Sequence, residues 1–95
     1  MTTLSCKLEI SEEAAAREVG GEIVILDFKS GEYFGLDGVG TKVWQIIERE
    51  ASSAGEICDQ LIKEFTVSRS QLQDDVLRLV NELLERGLLV SCDPS

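Results

Sequence analysis

The sequence contains no histidine and one proline, and its basic residues are half as numerous as its acidic ones, 9 Lys plus Arg against 18 Asp plus Glu. Each shortage excludes something. Without histidine the chain lacks the commonest general base and the commonest metal ligand. A formal charge of −9 disfavours nucleic acid, because phosphate binding needs clustered Lys and Arg that release counterions. It disfavours an anionic membrane surface for the same reason. Residues Met1 to Lys7 include no apolar signal-type region, and no stretch approaches the roughly 18 apolar residues of a membrane span. The expectation is a soluble, cytoplasmic protein with no nucleic-acid or membrane partner.

The cysteines are few, unpaired in spacing and odd in number: Cys6, Cys58 and Cys92. Zinc sites and disulfide frameworks use closer or paired cysteines, and a catalytic thiolate needs a base or a cation beside it. Cys6 and Cys58 are therefore read as small buried hydrophobes, and Cys92 as a surface thiol. No metal, cofactor or catalytic residue set is expected, and the chain is read as a binding module, not an enzyme.

What is present is ordinary globular material, with 43% hydrophobic and 28% charged residues in 95 positions. That is enough for one domain over 1–95, with 1–4 and 92–95 as frayed tails. Cys6 to Ile10 alternates apolar and polar residues as a half-buried strand does. Ser11 to Glu18 has a helix-forming composition but is too short to hold a helix alone, and is read as a connector with one turn at most. Gly20-Gly21 then breaks the chain before Glu22 to Phe28, a β-branched run expected to be a central strand. Lys29 to Glu32, with Gly31 available for positive φ, leads to a third strand, Tyr33 to Leu36.

The remainder follows helical periodicity. Asp37 is placed to cap a helix with Val39, Val43, Trp44, Ile46 and Ile47 inside. Ser53 and Glu56 have capping-box spacing ahead of Ile57, Leu61, Ile62 and Phe65. Ser68 or Ser70 caps a third helix with a Leu72, Val76, Leu79, Val80, Leu83 stripe, and Gly87 stands where a left-handed cap belongs. Leu88 to Val90 is expected to fold back onto the core. The expected class is α+β, a winged-helix-like domain with a three-stranded antiparallel sheet followed by three helices.

Several motifs fail on inspection. Gly35-Leu36-Asp37-Gly38-Val39-Gly40-Thr41-Lys42 matches neither G-x-x-x-x-G-K-S/T nor G-x-G-x-x-G. No calcium-loop spacing occurs. An acyl carrier protein is excluded by the β-rich first third and the absence of Asp-Ser-Leu. In the third helix, where a winged-helix DNA reader is basic, Asp74, Asp75, Glu82 and Glu85 outnumber Arg78 and Arg86.

The feature left over is the strand Tyr33-Phe34-Gly35-Leu36, which is short, uncharged and exposed along one edge of the expected meander. Such edges are ordinarily guarded by charge, proline or a bulge, and Gly35 gives another backbone room to approach. Shielding by a helix, a dimer contact and capture of an extended peptide as an added strand all remain open from the residues alone.

The segments Gly21 to Asp27, Ser30 to Asp37, Val39 to Trp44 and Asp75 to Leu89 together resemble the pyrroloquinoline-quinone biosynthesis protein D (PqqD) family. That resemblance implies a RiPP recognition element, a domain of three strands and three helices that binds the leader of a ribosomally made precursor peptide. In such domains the leader adds antiparallel to the third strand, in a groove walled by the third helix. Carried over, Tyr33, Phe34, Gly35 and Leu36 supply backbone pairing. Val76, Leu79, Val80 and Leu83 supply core and groove wall, and Asp75, Arg78 and Glu82 supply polar contacts. The hairpin Asp27 to Leu36 is most similar to free-standing leader-binding proteins of lasso-peptide clusters. For these the resemblance implies a cysteine-protease-type leader peptidase as partner, an ATP-dependent cyclase, and leaders carrying a Tyr-x-x-Pro segment. A peptide chaperone of pyrroloquinoline-quinone synthesis and a winged-helix regulatory or dimerisation domain are the alternatives.

Overall fold

A computed structural model describes residues 7–36 and 38–91. The expectations for Cys6, Asp37 and Cys92 and for the tails 1–4 and 92–95 fall outside the described residues. The elements follow the order β1 (Lys7–Ile10), β2 (Ala14–Val19), β3 (Glu22–Asp27), β4 (Tyr33–Leu36), α1 (Val39–Arg49), β5 (Ser52–Ser53), α2 (Ala54–Leu61), α3 (Arg69–Glu85) and β6 (Leu89–Ser91). The α+β class and the three helices are as expected. The strands are arranged differently: there are two antiparallel three-stranded sheets, β5-β1-β6 and β2-β3-β4.

The difference lies at residues 11–19. Ala14–Val19 is not a connector but a strand, paired with β3 from Ala14↔Asp27 to Val19↔Glu22. Alanine favours helix only weakly, and tertiary pairing overrides it. Nine residues between a strand and a glycine pair are too few to hold a helix alone, whereas β3 offers a whole edge of unsatisfied N–H and C=O groups. Gly20 and Gly21 have φ of 62° and 85°, the two positive values of a type I′ hairpin turn. The glycine pair is therefore the turn of a hairpin. With β2 occupying that edge, β1 pairs instead with β6 and β5 in the second sheet.

Other local signals operate as the sequence indicates. Ser53 and Glu56 form a reciprocal capping box at α2. The Ser68 hydroxyl accepts from Gln71 N–H at the start of α3. At its end Gly87, with φ 77°, closes the helix as Gly87 N–H donates to Leu84 C=O at 3.1 Å and Leu88 N–H to Leu83 C=O at 2.9 Å, the paired bonds of a Schellman cap. Leu88 and Leu89 then turn into the core. Trp44 of α1, Leu8 of β1, Ile25 of β3, Ile57 of α2, and Val76, Val80 and Leu83 of α3 are all fully buried. One core thus joins both sheets to all three helices, and α3 lies on it by its apolar stripe. No helix among the described residues is long and apolar enough to cross a membrane.

Candidate functional site

The parity of the β2-β3-β4 meander decides what its edges offer. Asp27 N–H donates to Glu32 C=O at 2.9 Å, and the β3–β4 register continues through Leu26↔Tyr33 and Ile25↔Phe34 to Ile23↔Leu36. Hydrogen-bonded pairs alternate in an antiparallel ladder. Phe34 and Leu36 therefore turn their N–H and C=O groups toward β3, and Tyr33 and Gly35 turn theirs to the open edge.

Beside that edge runs a groove of about 370 Å³. Phe34, Gly35 and Leu36 line it from β4, Val39 and Gly40 from the first turn of α1, and Asp75, Arg78, Leu79 and Glu82 from α3. Its geometry follows from the chain. Thr41 Oγ1 donates to Leu36 C=O at 3.0 Å in a buried setting, fastening the first turn of α1 to the end of β4. Gly40 permits the close fit: a Cβ there would come within 3.3 Å of Leu36 Cδ2 and 3.4 Å of Leu79 Cδ2. The absent side chain thus lets strand, α1 and α3 meet at the groove floor.

Seven of the residues expected from the sequence are brought together here: Phe34, Gly35, Leu36, Asp75, Arg78, Leu79 and Glu82. Four are placed elsewhere. Val76, Val80 and Leu83 are fully buried and hold α3 on the core beneath the groove wall. The Tyr33 side chain, 71% exposed, lies on the opposite sheet face with Ala15, Val24 and Leu26, where it helps line a second hollow of about 390 Å³. Only its backbone faces the open edge. Val39 and Gly40 are the groove residues that sequence reasoning missed. The signal was available in the G-x-G spacing of 38–40, which keeps the first turn of α1 free of bulk.

Polar groups on the α3 wall are paired along the helix. Arg78 lies 3.8 Å from Asp75, and Arg86 lies 3.4 Å from Glu82. The Arg86 guanidinium also stands over the Phe34 ring at 4.7 Å, a cation–π contact at one end of the groove. Cys58 is fully buried in the core, and burial pushes its thiol up, with the Arg69 charge opposing weakly. It is held as a neutral thiol away from the groove. Among the described residues no cluster of three or more Cys, Asp or Glu is disposed to hold a metal ion.

Comparison with curated protein sequences finds no significant match. Two solved structures superpose over most of their length. The chain is 31% identical to one described as TbiB1 in complex with the TbiA(beta) leader peptide, with a TM-score of 0.79 over 85% of this chain and 93% of that one. It is 25% identical to one described as lasso peptide synthetase B1 complexed with the leader peptide, with a TM-score of 0.78 over 87% and 96%. The profile described as coenzyme PQQ synthesis protein D (PqqD) matches residues 22–89, from the start of β3 into β6. By that match, which takes in the open edge, the groove and the whole of α3, the chain belongs to the PqqD family.

Proposed function

We propose that this protein is a RiPP recognition element that binds the leader of a precursor peptide, with the lasso-peptide class as the best fit, and performs no chemistry on it. The observation that carries this reading is the coincidence of an open strand edge with an apolar groove. Tyr33 and Gly35 present unpaired backbone groups, and immediately beside them Leu36, Val39 and Leu79 offer apolar surface. A peptide adding antiparallel to β4 would gain main-chain hydrogen bonds from the edge and place alternate side chains in the groove, the logic of strand addition. Support also comes from the two similar structures, each of which is a complex with a leader peptide.

On this reading the bound leader is presented to a separate cysteine-protease-type leader peptidase, and the freed core peptide to an ATP-dependent cyclase. The test is a titration of the fluorescently labelled leader of the precursor encoded beside this gene. Saturable binding at micromolar protein is expected. Absence of binding at tens of micromolar, with the protein folded by circular dichroism, would overturn the reading. A peptidase assay checks presentation: cleavage of the leader should accelerate when this protein is added.

A further inference from the structure

Gly35 is out of place in β4. A glycine inside a strand loses more backbone entropy than other residues and packs nothing in return. Neither ordinary structural reason for it applies here. Its φ is not positive, and a Cβ built on it would meet no heavy atom within 4 Å beyond its chain neighbours. The missing side chain relieves no clash within the fold. It leaves a gap.

That gap lies on the outer face of the meander, turned away from α3. Strand alternation puts the side-chain positions of Tyr33 and Gly35 on that face, and those of Phe34 and Leu36 on the groove face. The register sets Ala15, Leu26 and Tyr33 in one row across the sheet, and Arg17, Val24 and Gly35 in the next. The first row is filled from strand to strand. The second stops at Val24, which is half-buried, and is empty where a β4 side chain would stand. The outer-face hollow of about 390 Å³ is bordered by Val24, Leu26 and Tyr33, and a smaller one of about 280 Å³ by Val24 and Gly35.

A peptide added antiparallel to β4 brings its own alternation. The residues that bond the edge-facing N–H and C=O groups of Tyr33 and Gly35 stand directly opposite them, and directly opposed side chains share a face. Those two peptide residues therefore point to the outer face, while the residues opposite Phe34 and Leu36 point into the groove. The peptide residue opposite Gly35 meets no side chain on β4. Val24 stands two strands away, about 9.5 Å, a span that a bulky side chain closes by leaning across the bare backbone of Gly35. A large side chain laid over an edge glycine in this way also pins strand register.

We infer that the chain reads its peptide on both faces of the added strand: besides the α3 groove, Gly35, Val24 and Tyr33 form a second subsite on the outer face, which takes a bulky apolar side chain from the peptide residue opposite Gly35. The inference rests on the leader-binding reading and deepens it. A peptide held by the groove alone needs apolar residues only at alternate positions. One held on both faces carries an uninterrupted apolar run opposite Leu36, Gly35 and Phe34, as strands covered on both faces do.

The test is NMR of the methyl-labelled full chain with the unlabelled synthetic leader of the precursor encoded beside this gene. Intermolecular NOEs are expected from two peptide residues to the Leu36 and Leu79 methyls, and from the residue between them to the Val24 methyls and the Tyr33 ring. Gly35→Val fills the gap and should weaken binding about fivefold, with Tm unchanged or raised because valine suits a strand. Replacing the leader residue that touches Val24 with alanine should weaken wild-type binding and remove the Gly35→Val penalty, the coupling expected of groups in contact. NOEs to Leu79 with none to Val24, or a Gly35→Val penalty that is absent or persists undiminished with the alanine leader, would overturn the outer subsite and leave groove binding standing. No NOE to either face, with the chain folded, would remove leader binding itself.

Discussion

The β2-β3-β4 meander has two open edges, and they are not equivalent. On β2, Phe28 N–H donates to Glu13 C=O at 2.9 Å, which fixes the parity so that Ala14, Ala16 and Glu18 face outward. This edge is longer than that of β4, and Ala14 N–H is occupied by Ser11 C=O at 3.2 Å. On β4 only Tyr33 and Gly35 face outward, yet this edge adjoins α3 and the first turn of α1, with a groove between them. The contrast teaches that free backbone groups alone do not make a peptide site. The apolar wall that receives alternate side chains does, and that wall is supplied by residues some forty positions further along the chain.

The most severe way to break the contrast is to detach the wall. Leu83 is fully buried under α3, and Leu83→Ala is expected to cost about 2–5 kcal/mol of stability. Thermal or urea unfolding would register this, and leader binding should weaken as α3 loosens. Retained stability would show that α3 is not held by this stripe. Gly87→Ala acts on the same helix more gently. It forces alanine to φ 77° at the Schellman cap and should cost about 1 kcal/mol, readable as a lowered Tm.

The groove floor offers a finer probe. A methyl group at Gly40 would press on Leu36 and Leu79 at 3.3–3.4 Å. Gly40→Ala is accordingly expected to lower leader affinity about three- to tenfold with little change in the fold, since small overpacking costs about 1 kcal/mol or more. Unchanged affinity would mean that the peptide does not reach the floor.

The smallest expected effect lies in the other sheet, and it serves as the control. Lys7 of β1 bonds Glu56 of α2 at 2.6 Å. That side-chain bond first, and the Ser53 N–H bond second, hold the Glu56 carboxyl below its ordinary value. A depressed carboxyl stabilises the fold above its unfolded pKa, and the contribution is lost as pH falls through the folded value. Glu56→Gln should therefore lower stability slightly at neutral pH, converge with the wild type in acid, and leave leader binding untouched.

Much of this was legible in the sequence where signals are local. Ser53 with Glu56, Ser68, and Gly87 after Arg86 announce helix ends through bonds made within a few residues. The stripe Leu72, Val76, Val80 and Leu83 announces a buried face through its period. The strand Ala14–Val19 was obscured because its composition favours helix while its conformation is set by pairing with β3. Only the Gly20-Gly21 turn carried a local hint of that hairpin. Within the site, Leu79 and Val76 belong to the same stripe, and only packing decides that Leu79 borders the groove while Val76 lies beneath it. Tyr33 was separable in principle: with Phe34 and Leu36 turned inward, strand alternation sends its ring to the opposite face.

The most direct measurement compares one substitution at each edge. Gly35→Pro deletes an outward N–H beside the groove, and Ala16→Pro deletes an outward N–H on β2, where edge proline is similarly tolerated. In a fluorescence titration with the labelled leader, Gly35→Pro should weaken binding about tenfold or more, from the lost hydrogen bond and the obstruction it introduces, while Ala16→Pro leaves affinity within twofold of the wild type. Equal losses at both edges, or a loss confined to Ala16→Pro, would contradict the assignment of the peptide site to β4 and α3.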